Sequence, residues 1–340
     1  MISEDTKSKA LVIGVGSIGL RHAQNLHAKK IEVSLYDIDQ ERVSTIATEK
    51  GYTQIKELTK EELQKQAAVF ICTPTNHHLA PAKLALSSGC GVFIEKPIAV
   101  STSQELEEIN NIARNKKNVT LIGCNMRFHP AIQELSRIIA SGELGKIYSA
   151  HVYFGQYLPF WRKVDYRKTY SAKVEEGGGM LLEGIHEFDY LVWLFGKVED
   201  VSAIITKASD LEMDGEDVVE VILKFRNGVL AHIHIDCLQK TKRRGYEVIG
   251  ELKTILWESI GSNPEKATTT IFETSDEPRK VTEKVIDPNY MYEQELDYFL
   301  SCIEKSLGTM NDIENSIYVL KIVEAARQSA LTKKTVAIKD

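Results

Sequence analysis

The sequence predicts two domains: an α/β domain on a parallel sheet, followed by an α+β domain on a largely antiparallel one. Three observations lead there. The chain has 340 residues, more than a single hydrophobic core usually organises. Its first part alternates short apolar β-rich runs with amphipathic stretches, the rhythm of β–α–β units. From Lys146 onward, strand-like runs follow one another directly, with the hairpin signal Asn227-Gly228 between two of them.

The strands expected in the first domain are residues 10–14, 32–36, 67–72, 92–95 and 120–123. In the second they are residues 147–154, 198–207, 218–225, 229–237, 246–249 and 254–258, interrupted by one long helix over 180–195 that Gly177-Gly178-Gly179 introduces. Two helices, over 291–305 and 312–332, end the chain. The domains are expected at residues 1–125 and 126–340, with the C-terminal helices able to pack back on the first.

Composition narrows the function classes. A 43% hydrophobic, 26% charged chain is an ordinary globular protein, with no collagenous or disordered bias. A net charge of -6 offers no field to gather nucleic acid, although Lys240, Lys242, Arg243 and Arg244 form a local cationic run able to meet an anion. The five scattered cysteines lack CxxC spacing, which argues against a disulfide framework or zinc site and for a reducing cytoplasm. The acidic start at residues 1–5 is unlike a signal peptide, and no apolar run reaches membrane-spanning length.

Gly14-Val15-Gly16-Ser17-Ile18-Gly19 matches GxGxxG between a predicted strand and a predicted helix. There the backbone of Gly14, Gly16, Ser17, Ile18 and Gly19 can approach a pyrophosphate at a helix N-terminus, the signature of a Rossmann domain. Asp37 ends the next strand, 18 residues beyond Gly19. A carboxylate there accepts hydrogen bonds from the adenosine 2′-OH and repels a 2′-phosphate, so NAD is the expected cofactor. Two more clusters follow strand ends: Thr73-Pro74-Thr75-Asn76-His77-His78 and Glu95-Lys96-Pro97. Thr73, Pro74, Asn76, His78, Glu95 and Lys96 are the expected further cofactor contacts.

In this order, GVGSIG, Tyr36-Asp37, CTPTNHH from Cys72, EKP from Glu95, Asn125-Met126-Arg127-Phe128-His129-Pro130 and GGGMLLEGIHEFD from Gly177 resemble the glucose-fructose oxidoreductase, inositol dehydrogenase and MocA (Gfo/Idh/MocA) family. The resemblance covers nearly the whole chain. It implies a Rossmann domain plus an open-faced antiparallel sheet, a cis Lys96–Pro97 bond, and Lys96 acting with His186 at the nicotinamide. It also sets His78 near that ring. Many members carry an Asp four residues before the histidine, whereas here Glu183 precedes His186 by three.

Apart from the resemblance, Glu183, His186, Glu187 and Tyr190 share one side of the predicted helix, and Leu182, Ile185, Phe188, Val192 and Phe195 supply apolar surface. Such a stripe is either a solvated face or the wall of a site, and the triple glycine before it permits close approach of a ligand. Oxidising a secondary alcohol needs a base for the hydroxyl proton as hydride leaves, a task suited to His186. A cation such as Lys96 stabilises the developing alkoxide, so the chemistry requires no metal. His232 and His234 share one face of a strand, but no third ligand is nominated, and half-buried sheet histidines are expected.

Substrate contacts are expected from Arg127, His129, Tyr166, Arg167, Tyr170, Glu183 and Asp189, a mixture suited to a polyol. The segment WRKVDYRKTY from Trp161 could instead grip a nucleotide-activated sugar through stacking and cations, or form a subunit contact. Three readings follow: a dehydrogenase of a sugar, sugar nucleotide or inositol; a reductase of a non-sugar carbonyl; and a catalytically silent NAD- or sugar-sensing regulator on the same fold. The presence of both Lys96 and His186 favours an enzyme. An uncovered sheet face further predicts a homodimer or homotetramer built through the second domain.

Overall fold

The computed structural model describes residues 9–261, 265–273 and 277–339; the acidic start at residues 1–5 lies outside them. Contacts divide the chain into two compact units. One takes the chain up to Cys124 together with Tyr292–Tyr318, the other Asn125–Met291 with Val319–Asp340.

The first unit runs β1 (Lys9–Ile13), α1 (Ser17–Ala28), β2 (Glu32–Tyr36), α2 (Gln40–Lys50), β3 (Thr53–Gln54), α3 (Lys60–Gln64), β4 (Ala68–Ile71), α4 (Leu79–Ser88), β5 (Gly91–Glu95), α5 (Gln104–Lys116) and β6 (Thr120–Gly123). Its strands form a six-stranded parallel sheet in the order β3-β2-β1-β4-β5-β6. Every residue of β4 and β6 is buried, as befits strands covered by helices on both faces. Because β2 lies on one side of β1 and β4 on the other, the chain reverses direction at β1, and the crevice for a ligand opens at the carboxyl ends there. Asp39 and Ser103 cap α2 and α5 through their side chains. By contrast, α1 begins at Gly16 with no side-chain cap and no acid in its first turn, which leaves its leading N–H groups for another partner.

The second unit continues with α6 (Pro130–Ala140), β7 (Ile147–Gly155), α7 (Met180–Glu183), α8 (Ile185–Phe195), β8 (Val198–Thr206), β9 (Val218–Phe225), β10 (Leu230–Asp236), β11 (Arg243–Gly250), β12 (Thr254–Ile260), β13 (Glu265–Phe272) and β14 (Lys280–Ile286). The chain ends with α9 (Tyr290–Lys305) and α10 (Ile313–Thr332), of which Tyr292–Tyr318 belongs to the first unit, and β15 (Val336–Ala337) of the second. Among the described residues the sheet has nine strands in the order β14-β13-β12-β11-β7-β10-β9-β8-β15. All neighbours are antiparallel except β7 and β10. Alternation along β9 buries Val219, Val221, Leu223 and Phe225 on one face.

Two sequence expectations change here. The helix over 180–195 is broken into α7 and α8 at Gly184. A Cβ on Gly184 would stand 2.3 Å from Cδ1 of Ile235 on β10, so the break falls where the sheet leaves no room for a side chain. Strands β13, β14 and β15 and helix α6 also extend the set that the sequence suggested. The Ala-Thr-Thr-Thr run of β13 carries little apolar alternation to reveal it.

Candidate active site

In the nucleotide half, close contacts dictate where glycine stands. Gly14 has φ +90°, and a Cβ there would meet the backbone of Cys72 and Thr73 at 2.7 Å. A Cβ on Gly19 would lie 1.9 Å from the Gly14 carbonyl oxygen, so α1 rests directly on the turn that precedes it. Gly16 differs, because nothing stands within 4 Å of where its Cβ would be. The protein leaves that space open beside the uncapped N-terminus of α1, a cradle that fits a pyrophosphate. The Asp37 carboxylate is set at the same edge: Oδ2 accepts the Val15 N–H at 2.8 Å and Oδ1 the Asp39 N–H at 3.1 Å.

The next strand ends supply a second wall. Pro74 and Asn76 are exposed in the turn after β4. His78 is buried, with Nε2 2.9 Å from the Thr73 carbonyl and Nδ1 3.0 Å from that of Pro97. Burial pushes its pKa down. A neutral ring has one N–H and donates it to one of these carbonyls, while the buried ring packs between the Thr73 turn and the loop after Lys96. The resemblance sets this ring near the nicotinamide, and here both of its nitrogens lie against backbone carbonyls. Lys96 follows the last residue of β5, and the Lys96–Pro97 bond is cis. Glu95 is held by His22 of α1, Nε2 to Oε1 at 2.8 Å.

In the second unit, His186 lies in the first turn of α8 just past the Gly184 break. Carboxylates on both sides of it are buried and paired. Glu187 takes Arg244 of β11 in a two-pronged contact at 2.7 and 3.1 Å, and Asp189 takes Arg127 at 2.7 and 2.8 Å. Glu183 accepts the Ser171 hydroxyl at 2.5 Å. Buried ion pairs add little net stability but are costly to break, at about 3–5 kcal/mol for losing one partner. These contacts therefore fix α8 rather than drive folding. The polar stripe is not a solvated face: Glu183, His186, Glu187 and Tyr190 are all buried.

His129 illustrates how a tautomer is set. Its Nδ1 accepts the Ala131 N–H at 3.2 Å, so Nε2 must carry the proton it gives to Glu265 Oε1 at 3.0 Å. Burial lowers the pKa of His129, in keeping with a neutral ring. Burial works against the Glu265 charge, yet His129 and Lys242 together hold its pKa well below the carboxylate range.

Other candidates spend their charge internally. Arg167 binds Asp165 and Glu212, Tyr166 accepts the Glu212 N–H, and Arg162 stacks over Tyr170. The cationic run is likewise committed, against the expectation of an anion site. Lys242 pairs with Glu265, Arg243 with Glu258 and Arg244 with Glu187, while Lys240 lies over Tyr157. His232 and His234 both bind Glu220, and His234, bonded also to Asp236, has its pKa raised to about 9. Among the described residues, no cluster of three or more His, Cys, Asp or Glu side chains is placed to hold a metal ion. No described helix is long and apolar enough to cross a membrane.

Sequence reasoning missed Arg244 with Glu187, Lys242 with Glu265, Ser171 and His22. Nothing in sequence spacing links Glu187 to Arg244 or Glu265 to His129. For His22 a signal existed: it stands one helical turn beyond Gly19, on the face of α1 that the glycine turns toward the sheet.

"Oxidoreductase family, NAD-binding Rossmann fold" matches residues 8–124, and "GFO/IDH/MocA C-terminal domain" matches residues 132–256. The uncharacterized oxidoreductase YrbE of Bacillus subtilis is 27% identical over 335 residues, 94% of this chain and 93% of that protein. The 1,5-anhydro-D-fructose reductase of Ensifer adhaerens is 27% identical over 282 residues, 80% of each. Levoglucosan dehydrogenase, solved with NADH and levoglucosan, shares the fold with a TM-score of 0.82 at 18% identity, over 97% of this chain and 99% of that one.

The Asp37 geometry generates a prediction. A 2′-phosphate would face a carboxylate already fixed by two N–H donors, so NAD should bind at least about tenfold more tightly than NADP, a gap of about 1.4 kcal/mol. Asp37→Ser should narrow the gap. Calorimetric titration of both cofactors checks this, and equal affinities in the unaltered protein would contradict it.

Proposed function

The chain belongs to the Gfo/Idh/MocA family of NAD-binding oxidoreductases, and from that premise we propose that it moves hydride between NAD and a secondary alcohol or ketone carbon of a neutral sugar or cyclitol. The observation that carries the reading is the position of Lys96. It follows β5 at the carboxyl edge of the parallel sheet, the edge that also bears the glycine loop and Asp37. NAD, when bound, supplies the hydride acceptor or donor.

In this reading Lys96 stabilises the substrate oxygen as it gains negative charge, and His186 takes or returns its proton. Gly14, Gly16, Ser17, Ile18, Gly19 and Asp37 hold the cofactor, with Thr73, Pro74, Asn76 and Glu95 lining its nicotinamide end. His78 serves as the brace behind that wall. The pairing of Lys96 with His186 rests on the order of motifs that the family resemblance supplies. A neutral substrate is favoured over a sugar nucleotide because Arg167, with its two carboxylate partners, and Arg162, stacked on Tyr170, are already engaged. The sugar substrates named for the reductase and for levoglucosan dehydrogenase agree with this class.

Lys96→Met and His186→Ala should each lower turnover by about a hundredfold or more, with a double change far from additive because the groups act as one unit. NAD affinity should change little. A panel of free sugars, inositols and sugar nucleotides with NAD first identifies a substrate, and near-normal turnover by either variant would defeat the assignment. Failure of the unaltered protein on the whole panel would favour the sensor.

We also propose a homo-oligomer formed through the open face of the second sheet. On that face Ile204, Ile222 and Leu230, from β8, β9 and β10, are 70%, 52% and 49% exposed, and apolar groups clustered on an uncovered sheet are candidates for burial against a partner. Light scattering at micromolar concentration should give a multiple of the chain mass. A monomer mass would refute this.

A further inference from the structure

Behind the cofactor edge lies a polar contact that neither packing nor the hydride reading explains. His22, in the second turn of α1, is 0% exposed. Its ring is walled by Phe70, Phe93 and Tyr292, with centroids 5.5, 4.9 and 6.0 Å away. A phenylalanine or leucine would suit such a cage. An imidazole there must give up its hydration, and its Nδ1 finds no hydrogen-bond partner among the described residues. Burying that group carries a free-energy cost that only its one polar contact can offset.

That contact is Nε2 to Glu95 Oε1 at 2.8 Å. The carboxylate oxygen accepts and Nε2 donates. The other oxygen of Glu95, Oε2, accepts the Lys96 N–H at 3.2 Å. A Cβ on Gly123 would come within 2.9 Å of the Phe93 ring and 3.2 Å of Oε2, so the neighbouring strand leaves room for the ring and the carboxylate together. Glu95 is thus gripped at both oxygens, one by the helix that begins at the phosphate cradle and one by the backbone of Lys96.

We propose that His22 is a positioning residue for the reaction: through Glu95 it fixes the Lys96 backbone relative to α1. The lysine and the cofactor cradle are then held as one body. The claim that this matters for turnover rests on the reading of Lys96 as a reacting group. The claim that His22 fixes the Lys96 backbone does not.

The test compares His22→Phe, which keeps the aromatic packing and removes the donor, with His22→Gln, whose amide N–H can still reach Glu95. In His22→Phe the thermal midpoint should hold or rise and NAD affinity should change by less than about threefold. Its kcat should fall by about tenfold or more, with KM for the sugar little altered, and His22→Gln should recover most of the loss. Independently of turnover, hydrogen exchange of the Lys96 amide, followed by NMR, should speed up in His22→Phe by about tenfold or more and return toward normal in His22→Gln. Unchanged kcat and unchanged Lys96 exchange in His22→Phe would overturn the proposal. So would a loss of activity that tracks a fall in thermal midpoint without rescue by glutamine. If the unaltered protein turns over no sugar, the hydride reading fails, and the Lys96 exchange still decides the role of His22.

Discussion

The nucleotide half depends on one close approach, that of α1 to the turn that starts it. Gly19 can rest on the Gly14 carbonyl only because it has no side chain, where a Cβ would lie 1.9 Å away. Once the helix is seated there, the rest follows from reach. The Val15 N–H meets Asp37, the uncapped first turn faces the space beside Gly16, and His22 reaches Glu95. Any side chain that lifted the helix off this turn would disturb all three together, because the turn carries the Val15 N–H and the helix it starts carries the uncapped N–H groups and His22.

In the second unit the same end is reached by charge. The helix α8 bears Glu187 and Asp189, and each finds an arginine from a different element, Arg244 from β11 and Arg127 from the segment before α6. The pairs surrender hydration, so they contribute specificity of position more than stability. Gly184 lets the helix close onto Ile235, and His186 projects from the turn immediately beyond.

What the sequence disclosed was what local spacing encodes. The parallel strands, the glycine loop and Asp37 were legible because the strands are unbroken apolar runs set between helical stretches, and the loop and Asp37 belong to a motif of fixed spacing. The break at Gly184 was not, since its cause is Ile235, distant in sequence and adjacent only after the sheet forms. Arg127, Asp189 and Arg167 were read as substrate ligands from their residue types, yet each has a carboxylate or arginine partner within the protein. Composition shows that a charge is present, but only the fold decides what neutralises it. Strands β13 and β14 escaped notice because three consecutive threonines in β13 and the mixed Lys, Thr and Glu of β14 blur the apolar alternation.

The central claim is that the chain shapes an anion cradle at the start of α1 before any cofactor arrives, and Gly16 tests it most directly. Its φ of -67° suits any residue, and nothing in the protein stands within 4 Å of its Cβ position. Serine is moreover a favoured N-cap. Gly16→Ser should therefore leave stability within about 0.5 kcal/mol, while its side chain occupies the space kept for the pyrophosphate. Calorimetric titration with NAD, alongside thermal unfolding of the free protein, should show an unchanged midpoint and an affinity weakened by about tenfold or more. Undiminished NAD affinity in Gly16→Ser would contradict the account.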